Sequence, residues 1–324
     1  ADGSTQLITV TMTGTDDATV ITGTSTAAIT ESNAVQSAAG TLTATDPDSS
    51  ADFVPQTDVA GSNGHGVFSI NAAGAWTYSM GSAHNEFVAG SVYTDSITVE
   101  TADGSTQLIT VTMTGTDDAP SFGTAGKTAN ISEEGLPNGV PDMTGTPTDT
   151  TNALVSSGTF AIADIDGPAL SVTLTAPSTV LTSGGQALTW SGSGTSTLIA
   201  STGGEVIMTI SITNTGAYTV TLSGTIDHAT AGAEDIASLG ITVTASDGML
   251  TTTGTLTVNI EDDAPLAVND FATLTMGSNT AGNVSTNDLG AELPGTVESV
   301  VYQGTTYTAS AGSSRSIPAR GSCQ

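Results

Sequence analysis

"ADGSTQLITVTMTGTDDA" stands at residues 102–119, and the same eighteen letters stand unchanged at residues 1–18. In the copy at 102–119, Ile109, Val111 and Met113 fall on one side of an alternation and Thr110, Thr112 and Thr114 on the other. Successive side chains of an extended chain point to opposite faces, so this pattern predicts a strand with one apolar and one polar face. β-branched residues suit such a half-buried pleated surface. An identical strip repeated 101 residues later is the mark of a tandem array. The copy at 1–18 reads as the C-terminal strand of a preceding repeat, and the copy at 102–119 as the closing strand of a complete one.

Working outward, the same period-two pattern returns in "GTLTAT", "GVFSIN", "AWTYSM", "SITVET", "VIMTISIT", "YTVTLSGT", "GITVTAS" and "GTLTVNI". Clusters of Gly, Asn, Asp and Ser separate these runs, and no segment sustains a helical period. Short strands at regular intervals predict an all-β protein of tandem immunoglobulin-like β-sandwich domains arranged end to end. The first complete repeat spans 19–119 and a longer, diverged repeat spans 120–263. "INAAGAWTYSM" at 70–80 aligns without gaps on "ITNTGAYTVTL" at 212–222, with Trp76 against Tyr218, and "ITVETADG" at 97–104 matches "ITVTASDG" at 241–248. Residues 264–312 read as the truncated start of a third repeat. The atypical tail 313–324 departs from the style of the rest and reads as a cloning scar or a frame-shifted end.

Charge narrows the partners. The chain carries 3 basic residues against 32 acidic ones, a formal net charge of −29. Arg315 and Arg320 lie in the tail, so the body holds only Lys127 against all 32 acids. Such a surface repels nucleic acid and anionic lipid, and it attracts cations. The single cysteine, Cys323, lies in the tail, so no disulfide staples the domains. No apolar run is long enough for membrane insertion.

The acids fall at recurrent places. Each repeat has an early glutamate (Glu31; Glu133 and Glu134) and a D-x-D after its second strand (Asp46 and Asp48; Asp164 and Asp166). Each also has a D-G turn before the last strand (Asp103; Asp247) and an Asp-Asp pair at the exit (Asp117 and Asp118; Asp262 and Asp263), with Asp16 and Asp17 ending the first copy. In an immunoglobulin-like sandwich the loops bearing the D-x-D and the D-G emerge at one end. The exit pair of one repeat would meet those loops of the next, gathering Asp16, Asp17, Asp46, Asp48 and Asp103 at one junction. The next junction would gather Asp117, Asp118, Asp164, Asp166 and Asp247, with Glu31 contributing. Five carboxylates with no basic neighbour repel one another when ionised. A calcium ion, with six to eight oxygen ligands in flexible geometry, resolves the conflict. Ordinary aspartate turns are the plain alternative for any single D-x-D, and the recurrence in two repeats favours calcium.

These motifs carry a family resemblance. The order of early Glu, D-x-D, A-x-D-G and terminal "DDAPSF" is similar to the cadherin repeat. The unit 19–119, with "GTLTATDPD", "GVFSINAAGAWTYSM" and "GTDDAP", more closely resembles the VCBS repeats of bacterial surface proteins. The unit 120–263 is similar to longer repeats of the same RTX-type adhesins, and "AVND" with "GNVSTNDLGAE" looks like a further module of that set. The resemblance implies cadherin-like sandwiches, calcium as cofactor, export by the type I route and a place at the bacterial cell surface. Its partners would be neighbouring repeats of the same chain and, through distal domains, surface polysaccharide or another cell. The linker lacks the cadherin Asn pair and the chain has no D-R-E motif.

No catalytic constellation stands out. His65, His84 and His228 lack partners at catalytic or zinc spacing and read as solvated loop residues. No G-x-S-x-G elbow occurs, and "DIDG" at 164–167 lacks the later acids of an EF-hand loop. Trp76 and Trp190 sit in alternating strands, which favours a core role over sugar stacking. The sequence thus predicts a non-enzymatic extender of a secreted surface adhesin that supports adhesion and biofilm formation. A glycan-binding module and an accessory region of a secreted enzyme are the alternatives.

Overall fold

The computed structural model describes residues 2–140, 151–167, 169–229, 235–263, 299–302 and 305–308. The chain divides into two compact units, the first made of Ala1–Ala119 with Asp164–Pro168, the second of Pro120–Ala163 with Ala169–Gln324. Both are all-β, as the alternation predicts. The tail and nearly all of the expected third repeat, with "AVND" and "GNVSTNDLGAE", lie outside the described residues.

The first unit holds β1 (Val20–Gly23), β2 (Thr26–Thr30), β3 (Ser37–Thr45), β4 (Gln56–Ala60), β5 (Gly66–Ile70), β6 (Ala75–Met80), β7 (Val92–Glu100) and β8 (Thr106–Thr114). They form a five-stranded sheet in the order β1-β3-β6-β5-β4 and a three-stranded sheet in the order β2-β8-β7. β2 runs parallel to β8, from Thr26 against Thr110 to Thr30 against Thr114. Leu42, Phe68, Ile70, Trp76, Tyr78 and Met80 from one sheet meet Ile97, Val99, Ile109, Val111 and Met113 from the other in a single core. Trp76 is buried, with its indole N–H donating to the Thr24 carbonyl at 2.7 Å.

Residues 2–18 take part in no strand, although their letters are those of β8 and its flanks. Ile8, Val10 and Met12 are 83%, 75% and 89% exposed, whereas their counterparts Ile109, Val111 and Met113 are each 0% exposed. Strand conformation is stabilised by cross-strand pairing and by burial of one face, and neither is present for this copy.

The second unit starts with β9 (Ser121–Phe122) and β10 (Gly126–Ser132) and continues through β11 (Val155–Thr159), β12 (Ile162–Ala163) and β13 (Ser171–Thr175). Then come β14 (Thr182–Ser183), β15 (Gln186–Ala187), β16 (Thr189–Ser191), β17 (Thr197–Thr202), β18 (Glu205–Ile212), β19 (Ala217–Leu222), β20 (Ile236–Ser246) and β21 (Thr251–Glu261). A four-stranded sheet β10-β21-β20-β13 faces a five-stranded sheet β11-β19-β18-β17-β16, with two small ribbons, β9-β12 and β14-β15. β10 is parallel to β21, repeating the β2–β8 arrangement with a longer register. Its core is built from Ile131, Leu174, Leu198, Met208, Ile210, Val220, Ile241, Val243, Leu256 and Val258. A hairpin of β22 (Ser299–Tyr302) and β23 (Thr305–Thr308) completes the described elements.

The pairing of Trp76 with Tyr218 in the sequence alignment has a structural counterpart. Trp76 on β6 is registered against Gly40 on β3, and Tyr218 on β19 is registered against Gly158 on β11. A Cβ on Gly40 would lie 2.6 Å from the indole, and one on Gly158 would lie 2.4 Å from the tyrosine oxygen. Each ring therefore needs a glycine opposite, because only a residue without a side chain admits so close an approach within a strand.

Candidate metal centres

Two carboxylate clusters lie in the first unit. In the first cluster, the turn after β3 places Asp46 so that its Oδ1 accepts from the backbone N–H of Asp48 at 3.0 Å and of Ser49 at 2.7 Å. The Thr19 hydroxyl donates to Asp46 Oδ2 at 2.8 Å, and the Thr19 backbone N–H donates to Asp103 Oδ2 at 2.8 Å. Thr19 thus ties the D-x-D to the turn between β7 and β8. The Asp17 N–H reaches Asp48 Oδ1 at 3.3 Å. These N–H and hydroxyl donors hold the Asp46 carboxyl down to about 2, with the Asp48 N–H contributing most. The Thr101 hydroxyl, then the Thr19 and Ser105 N–H groups, lower Asp103 in the same way. Asp16 responds in the opposite direction. Desolvation, followed by the charges of Asp48, Asp46, Asp103 and Asp17, pushes its carboxyl up. The five expected aspartates therefore share one electrostatic neighbourhood.

The second cluster gathers Glu31, Asp117, Asp118, Asp164 and Asp166. Glu31 follows β2, its N–H donating to the Thr114 carbonyl at 2.8 Å. Its Oε2 accepts from the Thr116 N–H at 3.1 Å and from the Thr116 hydroxyl. Its Oε1 is buried without a hydrogen-bond partner, as are Asp118 Oδ2 and Asp166 Oδ1. Burial first, then the charges of Glu31, Asp166, Asp164 and Asp117, pushes the Asp118 carboxyl up. Among the described residues Lys127 is the only Lys or Arg. Glu31, Asp118 and Asp166 make no ion pair with an ammonium or guanidinium among the described residues.

Asp247 lies in the second unit, in the turn between β20 and β21. Its Oδ1 accepts from the N–H of Met249 at 2.6 Å and of Leu250 at 2.7 Å, and its Oδ2 is buried without a hydrogen-bond partner.

Asp262 and Asp263, the exit pair of the second unit, are buried with Glu133, Glu134 and Glu261. The Val140 N–H donates to Asp263 Oδ1 at 2.9 Å and the Thr151 N–H to Glu261 Oε2 at 3.2 Å. The Ile226 N–H donates to Glu133 Oε1 at 2.5 Å. A histidine joins this cluster, which the sequence did not foretell. His228 is not a solvated loop residue, since its side chain is 2% exposed. Its Nδ1 lies 2.7 Å from Asp235 Oδ1, and its Nε2 lies 3.6 Å from Glu133 Oε1. Burial opposes a charge on the ring, but Glu133, Asp262 and Asp235 outweigh it and raise His228 to about 9. Burial pushes the Asp262 carboxyl up. His84 is also packed, with its ring stacked on Phe87 at a centroid distance of 4.7 Å and its Nδ1 2.7 Å from Glu86 Oε1.

Sequence reasoning also passed over Asp95 on β7. It is fully buried and accepts from the N–H groups of Asn63 at 2.8 Å, His65 at 3.0 Å and Gly66 at 3.1 Å, and from the Tyr78 hydroxyl at 3.2 Å. With four donors it is a structural anchor that holds the β4–β5 turn.

No family model matches the chain, and no curated protein matches it. Solved structures of cadherin ectodomain repeats do match. Drosophila N-cadherin EC1–4 is 17% identical, over 72% of this chain and 47% of that one, with a TM-score of 0.26. The human desmocollin-1 ectodomain is 13% identical, over 75% of this chain and 40% of that one, at 0.29. Protocadherin gamma B2 extracellular cadherin domains 1–5 are 13% identical, over 76% and 40%, at 0.39. The chain spans less than half the length of each of these structures. No helix among the described residues is long and apolar enough to cross a membrane.

Proposed function

We propose that this chain is a structural extender of a large secreted bacterial surface adhesin, with repeats stiffened by calcium and no catalytic role. One observation carries the reading. Glu31, Asp118 and Asp166 each hold a buried carboxylate oxygen with no hydrogen-bond partner, and none of the three pairs with an ammonium or guanidinium among the described residues. Buried polar atoms are nearly always satisfied, so three orphans in one place ask for a ligand that donates positive charge to oxygen. The donor set fits calcium, which takes oxygen ligands only and tolerates irregular geometry. Glu31, Asp117, Asp118, Asp164 and Asp166 would hold one ion or group of ions, and Asp16, Asp17, Asp46, Asp48 and Asp103 another. The bound ion would neutralise the carboxylates and join segments remote in sequence. Glu31 is fixed by Thr116, and Asp46 and Asp103 are fixed through Thr19, so both clusters start partly ordered. The resemblance of "GAWTYSM" and "GTDDAP" to VCBS repeats supports the surface-adhesin context, and the burial of Trp76 speaks against a sugar-stacking platform there.

The test is thermal melting with calorimetry in EDTA, Mg²⁺ and Ca²⁺. Extracellular calcium sites have dissociation constants of about 10⁻⁴ to 10⁻³ M. At about 10 mM calcium a site at the tight end gains about 2.7 kcal/mol. Magnesium should substitute poorly, because it demands a tighter octahedron. Changing Asp164 and Asp166 together to Asn should remove most of the gain from the second cluster and leave that of the first. An unchanged melting temperature in millimolar calcium would sink the proposal.

A further inference from the structure

We propose that Glu133, His228 and Asp262 form a binding site for a first-row transition-metal ion such as Zn²⁺, distinct in chemistry from the all-oxygen clusters of the first unit. The three residues offer one nitrogen and two carboxylate oxygens that all lie within 4.8 Å of one another. In a zinc site, ligands at about 2.0–2.2 Å in a tetrahedron stand roughly 3.4 Å apart. His228 Nε2 and Glu133 Oε1 are already separated by 3.6 Å, too far for a hydrogen bond and close to that spacing.

A second, independent observation comes from the histidine. Its Nε2 is buried and has no hydrogen-bond partner among the described residues, yet it is directed at the carboxylates. Its other nitrogen is occupied, with Nδ1 2.7 Å from Asp235 Oδ1. This carboxylate–histidine pairing fixes the tautomer so that the Nε2 lone pair faces a metal, and it makes the ring a stronger ligand. Glu133 is oriented in turn by the Ile226 N–H, and the Asp262 N–H is held by the Asp235 carbonyl at 2.9 Å. Asp235 therefore positions one ligand with its side chain and another with its backbone. The imidazole also selects the ion. Calcium is a hard cation that takes oxygen, whereas imidazole suits Zn²⁺, Ni²⁺, Co²⁺ and Cu²⁺. A metal takes the neutral imidazole, so any proton on Nε2 leaves to solvent on binding.

The place in the fold sharpens the contrast. Glu31 follows β2 where β2 pairs in parallel with β8, and Glu133 follows β10 where β10 pairs in parallel with β21. The same topological corner is therefore served by carboxylates alone in the first unit and by carboxylates with a histidine in the second.

The experiment is a Co²⁺ titration of the full chain, followed by visible absorption and displaced by Zn²⁺. Weak carboxylate sites elsewhere on so acidic a chain are separated by the His228→Gln variant. The expected result is one Co²⁺ per chain with a nitrogen-dependent absorption band, weakened at least about 100-fold in His228→Gln. Asp235→Asn should weaken it about 10- to 100-fold, the usual effect of losing the carboxylate behind a ligating histidine. The calcium-dependent melting shift of the first unit should be unchanged in both variants, which separates this site from the calcium proposal. Equal Co²⁺ affinity and stoichiometry in wild type and His228→Gln would overturn it, as would no Co²⁺ binding at millimolar concentration. Should His228→Gln fail to fold, ¹⁵N spectra of the three histidines in the wild type decide. A Zn²⁺-induced shift at His228 Nε2 supports the site, and an unmoved resonance refutes it.

Discussion

Residues 1–18 and 102–119 are the same eighteen letters in two structural fates. The second copy includes β8, the central strand of a three-stranded sheet, hydrogen-bonded to β2 on one side and β7 on the other. The first copy has neither neighbour and forms no strand, and its apolar face meets solvent. Yet its end is engaged, since the Asp17 N–H reaches Asp48 Oδ1 and Thr19, the residue just after the copy, reaches Asp46 and Asp103. Alternation is thus a capacity for strand formation, realised only when a sheet supplies partners. An Asp-Asp pair carries its interactions more locally, through backbone donors and charge.

The most severe way to probe this contrast is a paired charge insertion. Val111→Asp would bury an unpaired carboxylate in the core and should cost at least about 4 kcal/mol, unfolding the first unit. Val10→Asp, at the matching letter, should change stability by less than about 0.5 kcal/mol. Melting curves of the two variants that coincide would break the comparison. A milder pair is Ile109→Ala against Ile8→Ala. The buried position should lose about 2–5 kcal/mol through lost burial and a cavity. Urea denaturation of the exposed variant should match wild type.

Asp118→Asn sharpens the comparison at the exit pair, with an effect of about 1–2 kcal/mol whose sign depends on calcium. In EDTA the variant should melt higher than wild type, because the ionised carboxyl is disfavoured by burial and by its acidic neighbours. In calcium it should melt lower, because a ligand is gone. The same sign in both buffers would count against Asp118 as a ligand. Removal of residues 2–13 should have the smallest effect, leaving the melting temperature of both units within about 1 °C. A drop of several degrees would show that this copy does more than its exposure indicates.

Much of the fold was legible because the chain alternates cleanly and uses few residue types. Ile97, Val99, Ile109, Val111 and Met113 declared their face by spacing alone, and the alignment of Trp76 with Tyr218 led to equivalent places opposite Gly40 and Gly158. Asp95 was legible too, although it was passed over. It shares the inward face with Ile97 and Val99, so its own spacing marks it as a buried charge that must find donors. His228 was not legible. Its partners Glu133, Asp235 and Asp262 are 95, 7 and 34 residues away, and the pairing of β21 with both β10 and β20 brings these segments together. The acid clusters of the first unit were recognisable from recurrence, whereas the role of Thr19 as the bridge between Asp46 and Asp103 depends on a turn geometry that no spacing reveals.

The parallel pairing of an early strand with the last strand has a mechanical consequence. A pull on the two ends of a unit drags β2 and β8, or β10 and β21, past each other in opposite senses. Their hydrogen bonds lie across that motion, so the load is shared along the whole interface and must be overcome together. It cannot peel away bond by bond. Five residue pairs are in register between β2 and β8, and seven between β10 and β21. The second unit should therefore be the stronger link, rupturing at the higher force in single-molecule stretching. A tether built of such units would yield first at its shorter clamps, releasing length while the longer ones hold.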